Sequence, residues 1–342
     1  MNKQISAIGI ALALGTMSTA NAEILKIPQQ SGWSGFAGIG VAYNDYSSNL
    51  IAGNTFSDLD NDVITSVDQS APSESNIGGM PLFDIRYTFA EERGQLFLGT
   101  LIQDAVRLDF TQQFGYRQEL SDKSIVSGAF VFSGMPAKYW EDAYLENERR
   151  RETDRKSSGV RFAWSHIGGT GFAVNYTYRK IDIDEDRNGE SAVETGMITL
   201  EEQRLLQRDG KHHKVELNYN YFMSKQTILT PAFIYTNRDM DGEAIGGDGY
   251  AGQVTMTHFA APYTFIVNGY YGVRNSDEEN PIYDEKTDAD EYGINATMFY
   301  SKIFGLEGWS GILSASYFES DSDVEFHSMD TKSVNAAMLY RF

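Results

Sequence analysis

From Trp33 to Phe342 the chain repeats one pattern: runs of about 9 to 13 residues with an apolar or aromatic side chain at every second position, separated by polar connections. Phe172, Val174, Tyr176 and Tyr178 alternate with Asn175, Thr177 and Arg179, and Val215, Leu217, Tyr219 and Tyr221 alternate with Glu216, Asn218 and Asn220. A period of two puts the two sets on opposite faces of a strand, whereas a helix would scatter both around its axis. Beyond the first 22 residues no apolar run approaches the ~20 residues of a spanning helix, so the chain cannot be a helical membrane protein. An aromatic content of 13% with only 7 Pro argues equally against disorder.

The pattern predicts strands at 33–44, 81–90, 95–103, 105–118, 124–134, 158–166, 171–182, 213–222, 227–237, 249–259, 263–274, 290–301, 309–319 and 331–342. That is an all-β chain folding as a transmembrane antiparallel β-barrel of about 14 strands, or about 12 if 95–118 does not form a separate hairpin. Connections alternate in length. Those at 91–94, 120–123, 167–170, 223–226 and 260–262 are short, and those at 45–80, 135–157, 183–212, 238–248, 275–289 and 320–330 are long and charged. Short turns on the periplasmic side and long loops outside are the expected asymmetry, which places the N-terminus inside.

Alternation alone does not separate a barrel from a soluble sandwich, but the aromatics do. Trp33, Trp164, Trp309, Phe89, Tyr221, Tyr263, Phe299 and Tyr300 fall near one set of strand ends and Tyr43, Tyr178, Tyr235, Tyr271 and Tyr292 near the other, as two interfacial girdles would. In the last strand Val334, Ala336, Met338, Tyr340 and Phe342 share a face and the sequence stops at Phe342. This ending resembles the assembly signal of Gram-negative outer-membrane barrels. The resemblance implies insertion by the barrel-assembly machinery, with Tyr340 and Phe342 as the recognised positions. The layout of the rest resembles uncharacterised porin-like families of proteobacteria.

The N-terminus agrees. Lys3, the apolar stretch Ile5 to Leu14 and Ala20-Asn21-Ala22 follow the order of a secretory signal peptide, so residues 1–22 are expected to be removed near Ala22 and 23–342 to form one outer-membrane barrel domain. With no Cys, disulfides play no part. A net charge of −20, from 48 acidic and 28 basic side chains, disfavours nucleic acid as a partner.

Strand parity assigns Arg86, Arg107, Arg117, Arg161, Arg179, Lys214, Arg274 and Arg341 to the lumen, against Asp84, Asp109 and Glu216, while the acidic excess lies in loops such as 46–80. A basic wall in a narrow pore favours anionic solutes. The other reading has these cations pairing with loop carboxylates that fold inward as a plug. Lys138 to Lys156 has helix-forming composition, Trp140 and Tyr144 at helical spacing and a Glu146/Arg150 pair. Its cluster Arg149, Arg150, Arg151, Arg155 and Lys156 suits lipopolysaccharide phosphates outside or a constriction within. Thr199-Leu200-Glu201-Glu202 is a capping box, with Gly210 as a stop.

No cofactor is expected, with one qualification. Asn237, Asp239, Asp241 and Asp248 follow the spacing of a calcium loop, which would put Ca2+ at an extracellular loop, although turn chemistry explains the same residues. Catalysis is not expected. Among the five His, only the rim pair His212-His213 beside acidic residues suggests a dyad, and no nucleophile elbow, zinc helix or phosphate loop is present. The sequence therefore predicts an outer-membrane channel, not an enzyme, for small hydrophilic and anionic solutes, with outer-membrane lipid, lipopolysaccharide and the assembly machinery as partners. A loop-plugged structural or receptor barrel is the alternative. A transporter of hydrophobic solutes is a third reading, because 96–102 and 125–132 are apolar on both faces.

Overall fold

A computed structural model describes residues 26–54, 57–101 and 110–342. Fourteen long strands form one antiparallel sheet. They are β1 (Gly32–Ser47), β2 (Glu74–Phe89), β3 (Gly94–Leu101), β4 (Phe110–Glu119), β5 (Ile125–Met135), β6 (Glu152–Ser165), β7 (Phe172–Ile183), β8 (Gly210–Tyr219), β9 (Thr227–Met240), β10 (Gly247–Ala260), β11 (Tyr263–Arg274), β12 (Ala289–Ser301), β13 (Trp309–Ser322) and β14 (Met329–Arg341). Each pairs with its sequence neighbour, and β1 pairs with β14 from Phe36↔Arg341 to Ser47↔Asp330. The Gly35 and Phe342 backbones bond to each other at 3.1 and 3.2 Å, completing the seam. Closure removes every free edge, the one way a sheet can satisfy its backbone in lipid. The 95–118 segment forms two separate strands, which decides the count at 14 and not 12.

Alternation sets the two faces. Ile39, Val41, Ile77, Phe114, Phe130, Phe162, Phe233, Ile294 and Leu313 stand outward and exposed, while Thr177, Glu216, Asn218, Thr230, Gln253, Thr255 and Ser314 are buried on the inner face. An outward face of large apolar groups around a polar interior is stable only in a bilayer, which identifies the fold as an outer-membrane-type barrel. Tyr43, Tyr235 and Tyr271 form one girdle and donate their hydroxyls to Ser75, Asp248 and Asp290 at 3.0, 2.7 and 3.1 Å. At the other end Trp33 packs edge-on against Tyr87, and Tyr263 stacks on Tyr300 with centroids 5.0 Å apart. Phe299 departs from the expected girdle: it lies on the inner face and is 1% exposed, because the girdle parity on β12 belongs to Met298 and Tyr300.

Most strands reach further at the loop end than the sequence pattern predicts. β2 starts at Glu74 instead of 81, β6 at Glu152 instead of 158, and β9 runs to Met240 instead of 237. Above the membrane neither face must be greasy, so alternation fades while the hydrogen-bond ladder continues. Gly210 begins β8 with φ +150°, and a Cβ there would come within 2.5 Å of Met240 Cα, so only glycine lets the chain re-enter the sheet so close to β9.

The long loops fold into a second, smaller core over the loop end. Ala52, Ile64, Val67, Trp140, Ala143, Tyr144, Ala192, Ile198, Leu206, Ala244, Val324 and Phe326 pack together, contributed by five different connections, and Tyr283 joins from a sixth. Segment 138–156 is not helical as expected. Ala137–Trp140 is a short strand between Ile51–Asn54 and the start of β6, and the rest is turn and the β6 strand itself. Composition permitted a helix, but edge pairing to β6 satisfies the backbone without one. Glu146 accepts the Val67 N–H at 2.7 Å. The capping box does form: Thr199 Oγ1 accepts from Glu202 N at 3.2 Å and the Glu202 carboxylate accepts from Thr199 N at 2.7 Å, starting the helix α1 (Leu200–Gln203).

Candidate functional site: a chamber beneath a loop lid

Between the loop core and the strand wall lies a cavity of about 450 Å³. Tyr144, Arg208 and His327 reach it from the loops, and inner-face residues of most strands make its wall.

The lid is held by buried polar groups as well as by apolar packing. Arg150 is 3% exposed, lies over the Trp140 ring at 4.5 Å, and donates to the carbonyls of Asn49 at 2.9 Å, Ala143 at 3.0 Å and Asn61. Burial lowers its pKa to about 10, so it is still cationic at neutral pH. Arg208 donates to the carbonyls of Trp140 and Glu141 at 2.8 and 2.9 Å and forms an ion pair with Asp186 at 2.6 Å. The Asp142 carboxylate accepts from Tyr144, Gly189 and Ser191 backbone N–H groups at 3.0, 3.0 and 2.8 Å. His327 Nε2 lies 3.0 Å from the Tyr144 hydroxyl, and Asn280 Nδ2 donates to that hydroxyl at 2.9 Å. Enclosure drives the His327 pKa down to about 3, helped by the nearby Arg274 charge, and raises that of Tyr144.

Of the predicted lumenal cations, Arg86, Arg117, Arg161, Arg179, Lys214, Arg274 and Arg341 all stand on the inner face; Arg107 lies outside the described residues. Several have protein partners. Arg86 pairs with Asp84 at 2.5 Å, and Arg117 Nε donates to Gln95 at 2.9 Å. Arg161 and Lys214 each lie 3.7 Å from Glu216, and Arg274 lies 3.6 Å from Glu291. Arg179 reaches across to Thr111 of β4 at 3.0 Å. Glu291, inside the predicted strand 290–301, and Glu119, one residue beyond 105–118, also face inward, so the basic excess is smaller than the sequence assignment had it.

Three basic residues beyond those bounds also belong to the wall: Arg155 of the expected cationic cluster, His212 of the expected rim pair, and Arg238, which sequence reasoning did not single out. Arg155, His212 and Arg238 line the chamber from the loop-end extensions of β6, β8 and β9. Extending the alternation by three residues at those strand ends would have found them.

The expected cationic cluster at 149–156 is dispersed. Arg149 pairs with Asp62, Arg150 is buried in the lid, Arg155 faces the chamber and Lys156 pairs with Asp184 at 2.5 Å, so no shared phosphate site forms. A strand extension, unlike a helix, sends alternate side chains to opposite faces.

The calcium spacing also fails to converge. Asn237 and Asp248 oppose each other on β9 and β10 with Asn237 Nδ2 donating at 3.1 Å, Asp239 lies 3.6 Å from Lys211 on β8, and the Asp241 N–H bonds to the Asp209 carbonyl at 2.8 Å. Among the described residues no three His, Asp or Glu side chains are grouped to hold a metal. The spacing belongs to a strand and its turn, which separates ligands that a calcium loop would wrap around one point. His212 and His213 point to opposite faces, and His213 hydrogen-bonds Tyr176 at 2.8 Å on the outer face, so the rim pair does not act as a unit.

Residues 32–341 match the family described as "Protein of unknown function (DUF2860)". The chain belongs to this family. The match spans the barrel from β1 to the last residue of β14. Among curated proteins none matches the sequence significantly. Solved structures of similar shape include the CymD monoaromatic hydrocarbon channel, at 10% identity over 98% of this chain and 96% of that one with a TM-score of 0.47. A Pseudomonas aeruginosa FadL homologue is similar at 8% identity over 90% of each chain with a TM-score of 0.46. An anion-selective porin from Comamonas acidovorans is similar at 9% identity over 92% of this chain and 99% of that one, with a TM-score of 0.41.

Proposed function

We propose that this DUF2860 protein is a gated, non-catalytic outer-membrane channel for small hydrophilic anions, with the loop core as its extracellular gate. The observation that carries the reading is the chamber: a space of about 450 Å³ inside a closed barrel, in whose wall Arg and Lys side chains outnumber carboxylates, roofed by loops and not by the barrel wall. Opening that roof requires movement of connections only, which are free to rearrange while the ladder stays intact. In a low-dielectric sleeve the Arg/Lys-rich wall raises the local concentration of anions, and acidic groups more than ~8 Å outside the mouth are screened at physiological salt. The chain acts after export, with residues 1–22 removed.

The test is conductance of the purified protein in planar bilayers with a salt gradient. An open channel should be mildly anion-selective, and neutralising Arg161 and Arg179 together should move the reversal potential toward cations. Selectivity unaffected by that pair would refute the wall as its source. The loop core also supports a second reading, a plugged barrel with a structural or receptor role. No conductance from the wild type or from a lid-weakened variant would establish that reading instead.

A further inference from the structure

Residues 26–31 precede β1 and belong to no strand, yet Ile27 is 1% exposed. Their anchors all lie at the short-turn end of the barrel. The Ala90 N–H, just after β2, donates to Ser31 Oγ at 2.9 Å. Arg93, in the same turn, donates to the Ile27 and Pro28 carbonyls at 2.7 and 2.8 Å and is itself held by Glu119, the last residue of β4, at 2.5 Å. At the far end Lys26 comes close enough to His166, which follows β6, for its charge to act there: burial first, and that charge second, lower the His166 pKa. Five residue steps reach at most ~18 Å, while the rim from the end of β2 to the end of β6 measures four strand spacings of ~4.8 Å, about 19 Å before strand tilt lengthens it. The segment therefore takes the chord across the mouth and not the arc around it.

What lies beneath the chord is covered. Thr88, Gln95, Ile125, Ser165 and Ala173 are the inner-face residues nearest the short-turn ends of β2, β3, β5, β6 and β7, and all are buried although none lines the chamber. In an open barrel such rim residues would face water. On the opposite side Ile228, Phe299, Ile312 and Leu339 occupy the inner face towards the same end and are buried as well. The two sides differ in what can move. Those four are strand residues locked by the ladder, whereas residues 26–31 are held by the contacts of Ser31 and Arg93 and by the burial of one isoleucine, so they can detach while every strand stays paired.

We infer that residues 26–31 form a periplasmic strap that shuts the lower mouth of the lumen and must lift for solute to pass. The inference rests on the channel reading, but the seating of the strap is measured apart from conduction. The chain has no Cys, so an introduced one reports its own site alone. In the purified full-length exported protein, Ile27→Cys should react slowly with a maleimide, and adding Arg93→Gln, which removes both carbonyl contacts, should raise the rate by about tenfold or more in protein that keeps heat-modifiable mobility. In planar bilayers Arg93→Gln and, independently, Ile27→Asp should each raise open probability by about tenfold or more. Roof and strap close one lumen in series, so below saturation the gains of Arg150→Met and Arg93→Gln should multiply in the double variant. Joining Lys26→Cys to His166→Cys with a reducible bismaleimide should silence the Arg150→Met channel, and reduction should restore it. Fast labelling of Ile27→Cys that Arg93→Gln does not change, or conductance unaffected by the cross-link, overturns the inference. Protection of Ile27→Cys with no conductance from any variant overturns the channel reading and leaves the strap in its seat.

Discussion

Replacing Arg150 with Met should loosen the lid without touching the barrel. The guanidinium serves three buried carbonyls and the Trp140 ring, and none of these contacts involves a barrel-strand residue. Charge-assisted hydrogen bonds are worth about 1.5–3 kcal/mol each and the ring contact about 0.5–2 kcal/mol. Met keeps part of the packing, so a net loss of about 4 kcal/mol is expected, which at about 1.4 kcal/mol per factor of ten multiplies the opening equilibrium constant by about a thousand. Single-channel recording should show a large gain in open time, and protease added to intact cells should cut the loops faster. Arg150→Lys should fall between, because a compact ammonium cannot span the same three carbonyls. Unchanged open time and unchanged loop cleavage in a properly inserted Arg150→Met protein would refute the assignment of the loop core as a gate held by this residue.

Three further outcomes follow from the same structure. The His327 pKa lies near 3 in the fold against an ordinary 6.5, so an opened lid takes up a proton that the closed lid refuses; lid stability is full above about pH 6.5 and declines as pH falls toward 3. Loop proteolysis measured from pH 7 to pH 4 should therefore rise steadily in the wild type, and His327→Gln should flatten the profile; a flat wild-type profile would contradict the burial. Phe342 stands outward and exposed on the closing strand, so Phe342→Ser should lower outer-membrane yield while export across the inner membrane continues, and undiminished heat-modifiable barrel would count against an assembly role. A Cys introduced at Asp241, in the turn between β9 and β10, should label on intact cells, whereas one at Ser224, between β8 and β9, should label only after permeabilisation; the opposite result would invert the topology.

Alternation in this sequence was sufficient for the barrel class: the antiparallel strands, the inward parity of Arg161, Arg179 and Lys214, and the outward face ending at Phe342 all follow from a period of two that lipid on one side and polar groups on the other enforce along every membrane-spanning run, while the choice between 14 and 12 strands was settled by the pairing of β3 with β4. That constraint ends where the strand leaves the bilayer, and so does its legibility. Arg155, His212 and Arg238 sit a few residues beyond the predicted ends, where polar groups occupy both faces and the sequence reads as loop. The lid was legible in composition but not in shape. Trp140 and Tyr144 were visible at helical spacing and Arg150 in a pair with Glu146, yet their partners Ala52, Asn61, Asn280, Phe326 and His327 come from other connections of the barrel. A helix of 138–156 would satisfy its backbone locally, whereas the observed segment pairs its two ends as a hairpin and bonds on its other side to Ile51–Asn54, Ile64 and Asp62, partners from another connection that closure of the barrel brings alongside. Likewise the spacing of Asn237, Asp239, Asp241 and Asp248 is a local property, but whether four oxygens meet depends on the turn between β9 and β10, and here pairing with β8 and across the hairpin draws them apart. Local periodicity thus fixed what faces lipid and what faces the lumen, while closure of the sheet, by bringing distant loops over one opening, decided that the lumen is a roofed chamber.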